Sequence, residues 1–227
     1  MIKMQYYLMM NSNITIYLMI QETLLRSTKY TGAKKKTYER LINTALEALE
    51  QGFELSITEL ADKSGISRAT AYRYFPTQSD LISATVESAL GPIFSWRSEK
   101  QNAEERINDF LAFAFPQMLK HEGALRAALR VSLQQWATKR ASLSPQTEKL
   151  VRGNRKEILA TILSPLKAEL PDELYNKVIY AISIIYGSEI FMVLKDIWMF
   201  DDQSIISLSQ WIAKAVINQA KQDASKF

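Results

Sequence analysis

Apolar residues recur along most of this chain at the spacing of an α-helix. Tyr38, Leu41, Ile42, Ala45, Leu46 and Leu49 fall at i, i+3, i+4, i+7, i+8 and i+11, one stripe on one helix face. Gly52 is placed to stop that helix. Leu81, Ile82, Thr85, Val86 and Ala89 make a second stripe, with Gly91-Pro92 expected to end it. Helices are predicted in the same way over Ala103–Leu119 (Ile107, Phe110, Leu111, Ala114, Met118, with Pro116 expected to kink it) and from Leu125 to Trp136 (Leu125, Ala128, Leu129, Ser132, Leu133, Trp136). Glu148–Leu170 carries Ile158, Leu159, Ile162 and Leu166, and Ile205–Gln219 carries Leu208, Trp211, Ile212, Ala215 and Val216. Asp172–Phe200 is apolar on nearly every side (Val178, Ile179, Ile182, Ile185, Ile190, Phe191, Leu194, Trp198), so it is expected as one helix buried against its own domain and against a second subunit. Glu122-Gly123, Ser144-Pro145, Leu170-Pro171-Asp172 and Asp201-Asp202 punctuate the series, and no segment alternates with period two for long enough to argue for a strand. The expected class is all-α, with about nine helices in total.

Between the first two stripes the pattern changes. Ser56 precedes Glu59 by three residues, a capping box in which each side chain satisfies an orphan backbone N–H at a helix start. Leu60 and Ala61 give this short helix its apolar face. Gly65 breaks it, because glycine takes the left-handed turn without a Cβ clash. Ile66 fills the gap between helices and Ser67 caps the next one. That next helix carries Arg68, Thr70, Tyr72, Arg73 and Tyr74, leaving Ala69, Ala71 and Phe75 to pack. Thr77 with Asp80 repeats the capping box and starts another helix at once. A core of Leu46, Phe53, Leu60, Tyr72 and Phe75 is expected for the first three helices.

Charge sharpens this picture. Residues 34–80 hold seven Lys/Arg and seven Asp/Glu, so the region is neutral as a whole. Glu39, Glu47, Glu50 and Glu54 lie on or just past the first helix, whereas the bases gather in Lys34–Lys36, expected either as a phosphate-binding arm or as a solvated linker, and on the Arg68–Tyr74 helix. A neutral region can still present one positive face to phosphate.

Composition removes other classes. The 227 residues are 47% hydrophobic and 23% charged, ordinary for a globular protein, and they contain no cysteine and one histidine. Thiolate metal sites, multi-histidine zinc sites and a cysteine nucleophile are thereby excluded. No glycine-rich phosphate loop occurs, no metal or cofactor is expected, and an enzyme is not indicated. His121 reads as a charge near a helix C-terminus. Cysteine-free composition suits a cytoplasmic location. Residues 1–33 hold five of the eight methionines and are expected to be a mobile extension or the product of an upstream start codon. Their apolar stretch is shorter than the roughly 20 residues a membrane helix needs.

The chain resembles the TetR family of bacterial transcriptional regulators over about sixty residues, from Lys34 to near Phe94. The parts that carry the resemblance are the amphipathic Leu41–Leu49, the exit Gly52-Phe53, the segment Ile57–Ser67 with its Gly-hydrophobic-Ser turn, and Tyr72–Phe75 closing the recognition helix. Two departures stand out: Ala69-Thr70-Ala71 precedes the first tyrosine, and Gln78 replaces a base common after the final phenylalanine.

The resemblance implies a three-helix DNA-binding domain with a helix-turn-helix over residues 34–94, and a helical ligand-binding and dimerisation domain over residues 95–227. It implies binding to double-stranded DNA at a palindromic operator by a homodimer held through Asp172–Phe200 and Ile205–Gln219, and release by a small apolar ligand. An activator or a ligand-independent DNA binder is the alternative. Expected DNA contacts are Lys36, Ser56, Thr58, Ser67, Arg68, Ala69, Thr70, Tyr72, Arg73, Tyr74, Thr77 and Gln78. Arg68, Thr70 and Arg73 are assigned to base edges; Ser67, Tyr72, Tyr74 and the lysines are assigned to phosphates. Phe110, Phe113, Phe115, Met118, Trp136, Tyr180, Tyr186 and Met192 are available to line a ligand cavity. Glu189, charged in an apolar helix, is also a ligand-binding candidate; pairing with an arginine such as Arg126 or Arg130 is the first expectation, and capping a dimer contact or meeting a polar ligand are the alternatives.

Overall fold

A computed structural model describes residues 30–141 and 155–226. The expectations for residues 1–29, the Ser144-Pro145 break and the start of the Glu148 helix lie outside the described residues. Helices make up the described chain, with no strand among those residues: α1 (Gly32–Glu50), α2 (Ile57–Ser64), α3 (Arg68–Tyr74), α4 (Gln78–Ser95), α5 (Ala103–Lys120), α6 (Glu122–Ala141), α7 (Arg155–Ile162), α8 (Asp172–Ile185), α9 (Glu189–Phe191) and α10 (Asp202–Ala224). A 3-10 turn (Ser164–Ala168) follows α7, with Pro165 in its first positions, so the expected helix to Leu170 is divided. A π-helical segment (Met192–Ile197) continues α9.

Helices α2, α3 and α4 each start at a side-chain cap, Ser56, Ser67 and Thr77, whereas α1 starts without one. Both capping boxes are present, Ser56 with Glu59 and Thr77 with Asp80. Gly65 takes φ +64 at the end of α2, and Gly52 takes φ +80 just past α1. These helices enclose a small core of Leu41, Ile42, Ala45, Leu60, Ala71, Phe75 and Leu81. Phe53 and Tyr72, expected inside it, are 53% and 46% exposed. Phe53 is instead covered on one side by the Lys63 ammonium, 4.9 Å from its ring centre. Ala69 also faces outward. Tyr30 is not detached from the fold: its ring meets that of Tyr74 edge-on at 4.8 Å and lies 5.2 Å from Tyr38. Lys34–Lys36 belong to the first turns of α1 and are not a separate arm.

The larger core lies in the later helices. Ile107, Phe110, Leu111, Phe115, Leu159, Leu163, Val178, Ile182, Phe191, Ile205, Ala213 and Ile217 are nearly inaccessible there. Helix α4 runs three residues past Pro92, because a proline close to a helix C-terminus removes little of the hydrogen-bond ladder. The stripe from Leu125 to Trp136 shifts by part of a turn. Ala124, Leu125 and Ala127 are buried, whereas Leu133 and Trp136 are 56% and 58% exposed.

The expected single helix Asp172–Phe200 is broken. Asp172–Ile185 and Glu189–Ile197 meet at a 58° bend. Gly187 sits at the break, and a Cβ there would overlap the Arg155 guanidinium, which pairs with Glu189 at 2.7 Å. Glu189 therefore does pair with an arginine, though with Arg155 and not Arg126 or Arg130. No single helix among the described residues is long and apolar enough to cross a membrane; only the bent pair together reaches that length and apolarity.

Candidate nucleic-acid interface

The recognition helix α3 is held at both ends. At its start, Ser67 Oγ accepts the Thr70 N–H at 3.3 Å and donates to Thr70 Oγ1 at 2.9 Å. The Thr70 hydroxyl hydrogen is thus left to donate elsewhere. At its end, the Tyr74 hydroxyl donates to the Lys34 carbonyl at 3.0 Å, within a ring cluster of Tyr30, Tyr38, Tyr74 and Phe75. Tyr74, assigned to phosphate from the sequence, is placed as a strut between α3 and α1. Gln78 is placed similarly: its Nε2 donates to the Leu55 carbonyl at 2.8 Å, fixing the start of α4 to the loop before α2.

The remaining expected contacts fall into two groups. Ser67, Arg68, Ala69, Tyr72 and Arg73 are exposed on α3 and its cap, with Thr70 half-buried beside them. Ser56 and Thr77 are committed to their capping boxes, each hydroxyl donating to its partner carboxylate at 2.7 Å. Thr58 is half-buried in the first turn of α2, where backbone N–H groups lack intrahelical acceptors. The Ser56 amide and hydroxyl hydrogen bonds hold the Glu59 carboxyl below its ordinary range, so this acid stays ionised within its cap.

Positive charge concentrates beside α3. Lys34 and Lys36 are exposed on α1, and Lys35 pairs loosely with Glu39 at 3.7 Å. Arg40 was missed in the sequence reading. Its guanidinium lies over the helix-turn-helix glycine, 3.2 Å from where a Gly65 Cβ would stand. The i, i+4 spacing of Lys36 and Arg40 was the signal available, since it puts both on one side of α1. Asp62 was missed too; its carboxylate holds the Arg68 guanidinium at 3.1 Å, with both side chains about three-fifths exposed (64% and 60%).

The residues suggested for a ligand are dispersed. Phe110 and Met118 are buried and Phe113 packs against the same core. Phe110 lies edge-on between Trp96 (5.2 Å) and Tyr186 (4.9 Å). Burial raises the Tyr186 hydroxyl well above its ordinary pKa, so it remains neutral. Phe115 meets Phe191 at 6.4 Å. Trp136 lies outside this core, next to Arg140, and Tyr180 is 68% exposed. Met192 is likewise on the outside. An open groove of about 340 Å³ runs between α5 and α10, lined by Glu104, Glu105, Ile107, Asn108, Gln210, Trp211 and Lys214. None of the suggested ligand residues lines it.

A helix-turn-helix with an exposed, cationic second helix, set on a helical body, defines a DNA-binding regulator class. Residues 41–85 match the family model described as "Bacterial regulatory proteins, tetR family". No curated protein matches the chain. Solved structures that share its fold include two regulators. A TetR transcriptional regulator from Rhodococcus sp. RHA1 is 15% identical, with TM-score 0.54, covering 82% of this chain and 97% of that one. A tetR-family transcriptional regulator from Streptomyces coelicolor is 20% identical, also with TM-score 0.54, covering 78% of this chain and 79% of that one. The likeness to that family is thus one of sequence over the helix-turn-helix, residues 41–85, and one of fold over most of the chain.

Proposed function

We propose that this regulator is a homodimeric repressor that grips a palindromic operator and leaves it when a small apolar molecule binds the helical body. The observation that carries the reading is the pairing of two exposed surfaces. One is the cationic face of α3 with Lys34, Lys36 and Arg40. The other is apolar: Tyr180, Ile184, Val193, Ile197, Trp198, Met199 and Trp211 are 47% to 79% exposed along α8, the π-helical segment and α10. Such a patch on a soluble monomer is unfavourable, and a second copy would cover it. Met199 also takes φ 56, a region in which a side chain strains the backbone.

In this reading residues 34–94 bind DNA and residues 95–227 bind ligand and dimerise. Arg68, Thr70 and Arg73 face bases. Ser67, Tyr72, Lys36, Arg40 and the first-turn amides of α2 near Thr58 face phosphates. Tyr74, Gln78, Ser56 and Thr77 position those groups, and Ala69 allows close approach. Phe110, Phe113, Met118 and Tyr186 are the ligand-facing set that the core supports.

The test is reciprocal. Compounds that raise the melting temperature should weaken binding to a selected operator duplex by about five- to 150-fold, and the duplex should weaken compound binding by the same factor. Stabilising compounds that leave operator affinity unchanged would favour a ligand-independent DNA binder. The close ring packing of Trp96, Phe110 and Tyr186 supports that second reading.

A further inference from the structure

The end of α1 and the start of α6 meet at unusually short range. Gly123 is the second residue of α6, and a Cβ there would overlap the Leu49 carbonyl and lie 2.9 Å from the Glu50 Cα. Only glycine permits that approach. The first amides of α6 have no acceptor within their own helix. Two of them, Gly123 and Ala124, donate to the Glu50 carboxylate at 3.0 and 3.2 Å, across 73 and 74 positions of chain. The negative charge also suits this end of the helix dipole. Leu49, Ile82, Ala124 and Ala127 close a small apolar cluster of their own around the contact, and Arg130 pairs with Glu54 further along α6.

The opposite side of the same turns grips the π-helical segment. Arg126 donates twice to the Asp196 carboxylate, each at 2.7 Å. Lys195 donates to Glu122 at 2.7 Å and to Asp202 at 3.1 Å. Val193, Ile197 and Trp198, beside these residues in the chain, belong to the exposed apolar face. The first two turns of α6 therefore touch a DNA-binding helix on one side and the support of the apolar face on the other.

We propose that these turns form a joint, with Glu50 and Gly123 as its fixed points, that sets the angle of α1 and carries changes at the apolar face to the DNA-binding helices through α6, in addition to the covalent route through α4. The inference rests on the reading of the chain as a dimeric DNA-binding regulator and adds a second route to it. Glu50 is a positioning residue that acts through α1. The two fixed points differ chemically. Glu50→Ala orphans two amides, whereas Gly123→Ala removes no hydrogen-bonding group and forces the helices apart. Alanine ordinarily favours a helix over glycine, so a loss on Gly123→Ala must arise at the contact.

Three variants of the full chain test the joint: Glu50→Ala, Glu50→Gln and Gly123→Ala. Amide hydrogen exchange is measured over the last turns of α1 and the first turns of α6. Affinity is measured for a duplex selected by the wild type and for a random duplex of equal length. Because the chain has no cysteine, a spin label on Asn43→Cys in α1 also reports the separation of the two α1 helices in the dimer. Glu50→Ala and Gly123→Ala are expected to speed exchange in both helices together and to broaden the label separation. They should weaken the selected duplex by about fivefold or more, and the random duplex by no more than about twofold, since phosphate attraction needs no fixed spacing. Glu50→Gln, whose amide oxygen still accepts, should fall between. Unchanged exchange in the partner helix would overturn the proposal, as would equal losses on both duplexes. Should Gly123→Ala fail to fold, the two Glu50 variants decide. A wild type that selects no duplex would refute the regulator reading, while the exchange arm still decides the joint.

Discussion

In the proposed reading, the Arg68–Asp62 pair holds a base-reading residue in place without consuming it. Both side chains are largely exposed, and an exposed ion pair contributes only about 0–1 kcal/mol, so a base edge can compete for the guanidinium. Arg68→Ala should cost about 1–3 kcal/mol on the operator and relax preference at one base position. Tyr72→Phe should weaken selected and random duplexes alike, and equal loss on both for Arg68→Ala would count against base contact. His121 supplies a second prediction. Its Nδ1 is buried with no hydrogen-bond partner, 4.0 Å from Glu50, and burial lowers its pKa below 6.5 despite that carboxylate. The unfolded chain then takes up a proton that folded His121 resists, so stability is complete above pH 6.5 and declines as the pH falls below it. Melting curves should show that slope in the wild type and lose it in His121→Gln. The sequence had suggested a favourable helix-end charge there; a single histidine does not reveal which groups the fold will pack over it.

At the scale of elements, local signals were legible and distant ones were not. Both capping boxes and both glycine exits follow from residues within a few positions of each other, and they stand as read. The struts from Tyr74 and Gln78 span 40 and 23 positions, a separation that periodicity does not encode. Nor does a stripe show a bend. Asp172–Phe200 keeps its apolar pattern on both sides of Gly187, and the Arg155 guanidinium that occupies the break, lying over that glycine and donating to the Ser183 carbonyl, comes from another helix. The outward face of α6 was misassigned because Leu133 and Trp136 continue the stripe of Leu125 beyond the helices that cover it. Ser56→Ala and Thr77→Ala should each cost about 1 kcal/mol of stability, seen as lowered melting temperatures. Their losses should add in the double variant, since each box is closed within its own helix. A loss beyond the sum would show that α2 and α4 are coupled through the caps.

For the whole molecule, the distinction between Ile184 and Ile185 matters. Ile184 is 77% exposed on the apolar face, whereas Ile185 is 8% exposed in the core. Ile184→Glu and Trp211→Glu should therefore give a folded monomer in light scattering, and Ile185→Glu should unfold the helical body. Wild-type protein that is monodisperse and monomeric at micromolar concentration would remove the dimer from the account.

Whether two copies of α3 read DNA together is decided by selecting bound sequences from a random duplex library. The expected result is an inverted repeat whose half-sites lie about 34–36 Å apart centre to centre, or a multiple of that distance, with affinity falling steeply as salt rises. Recovery of no enriched sequence, or of an isolated half-site bound as tightly as the pair, would contradict it.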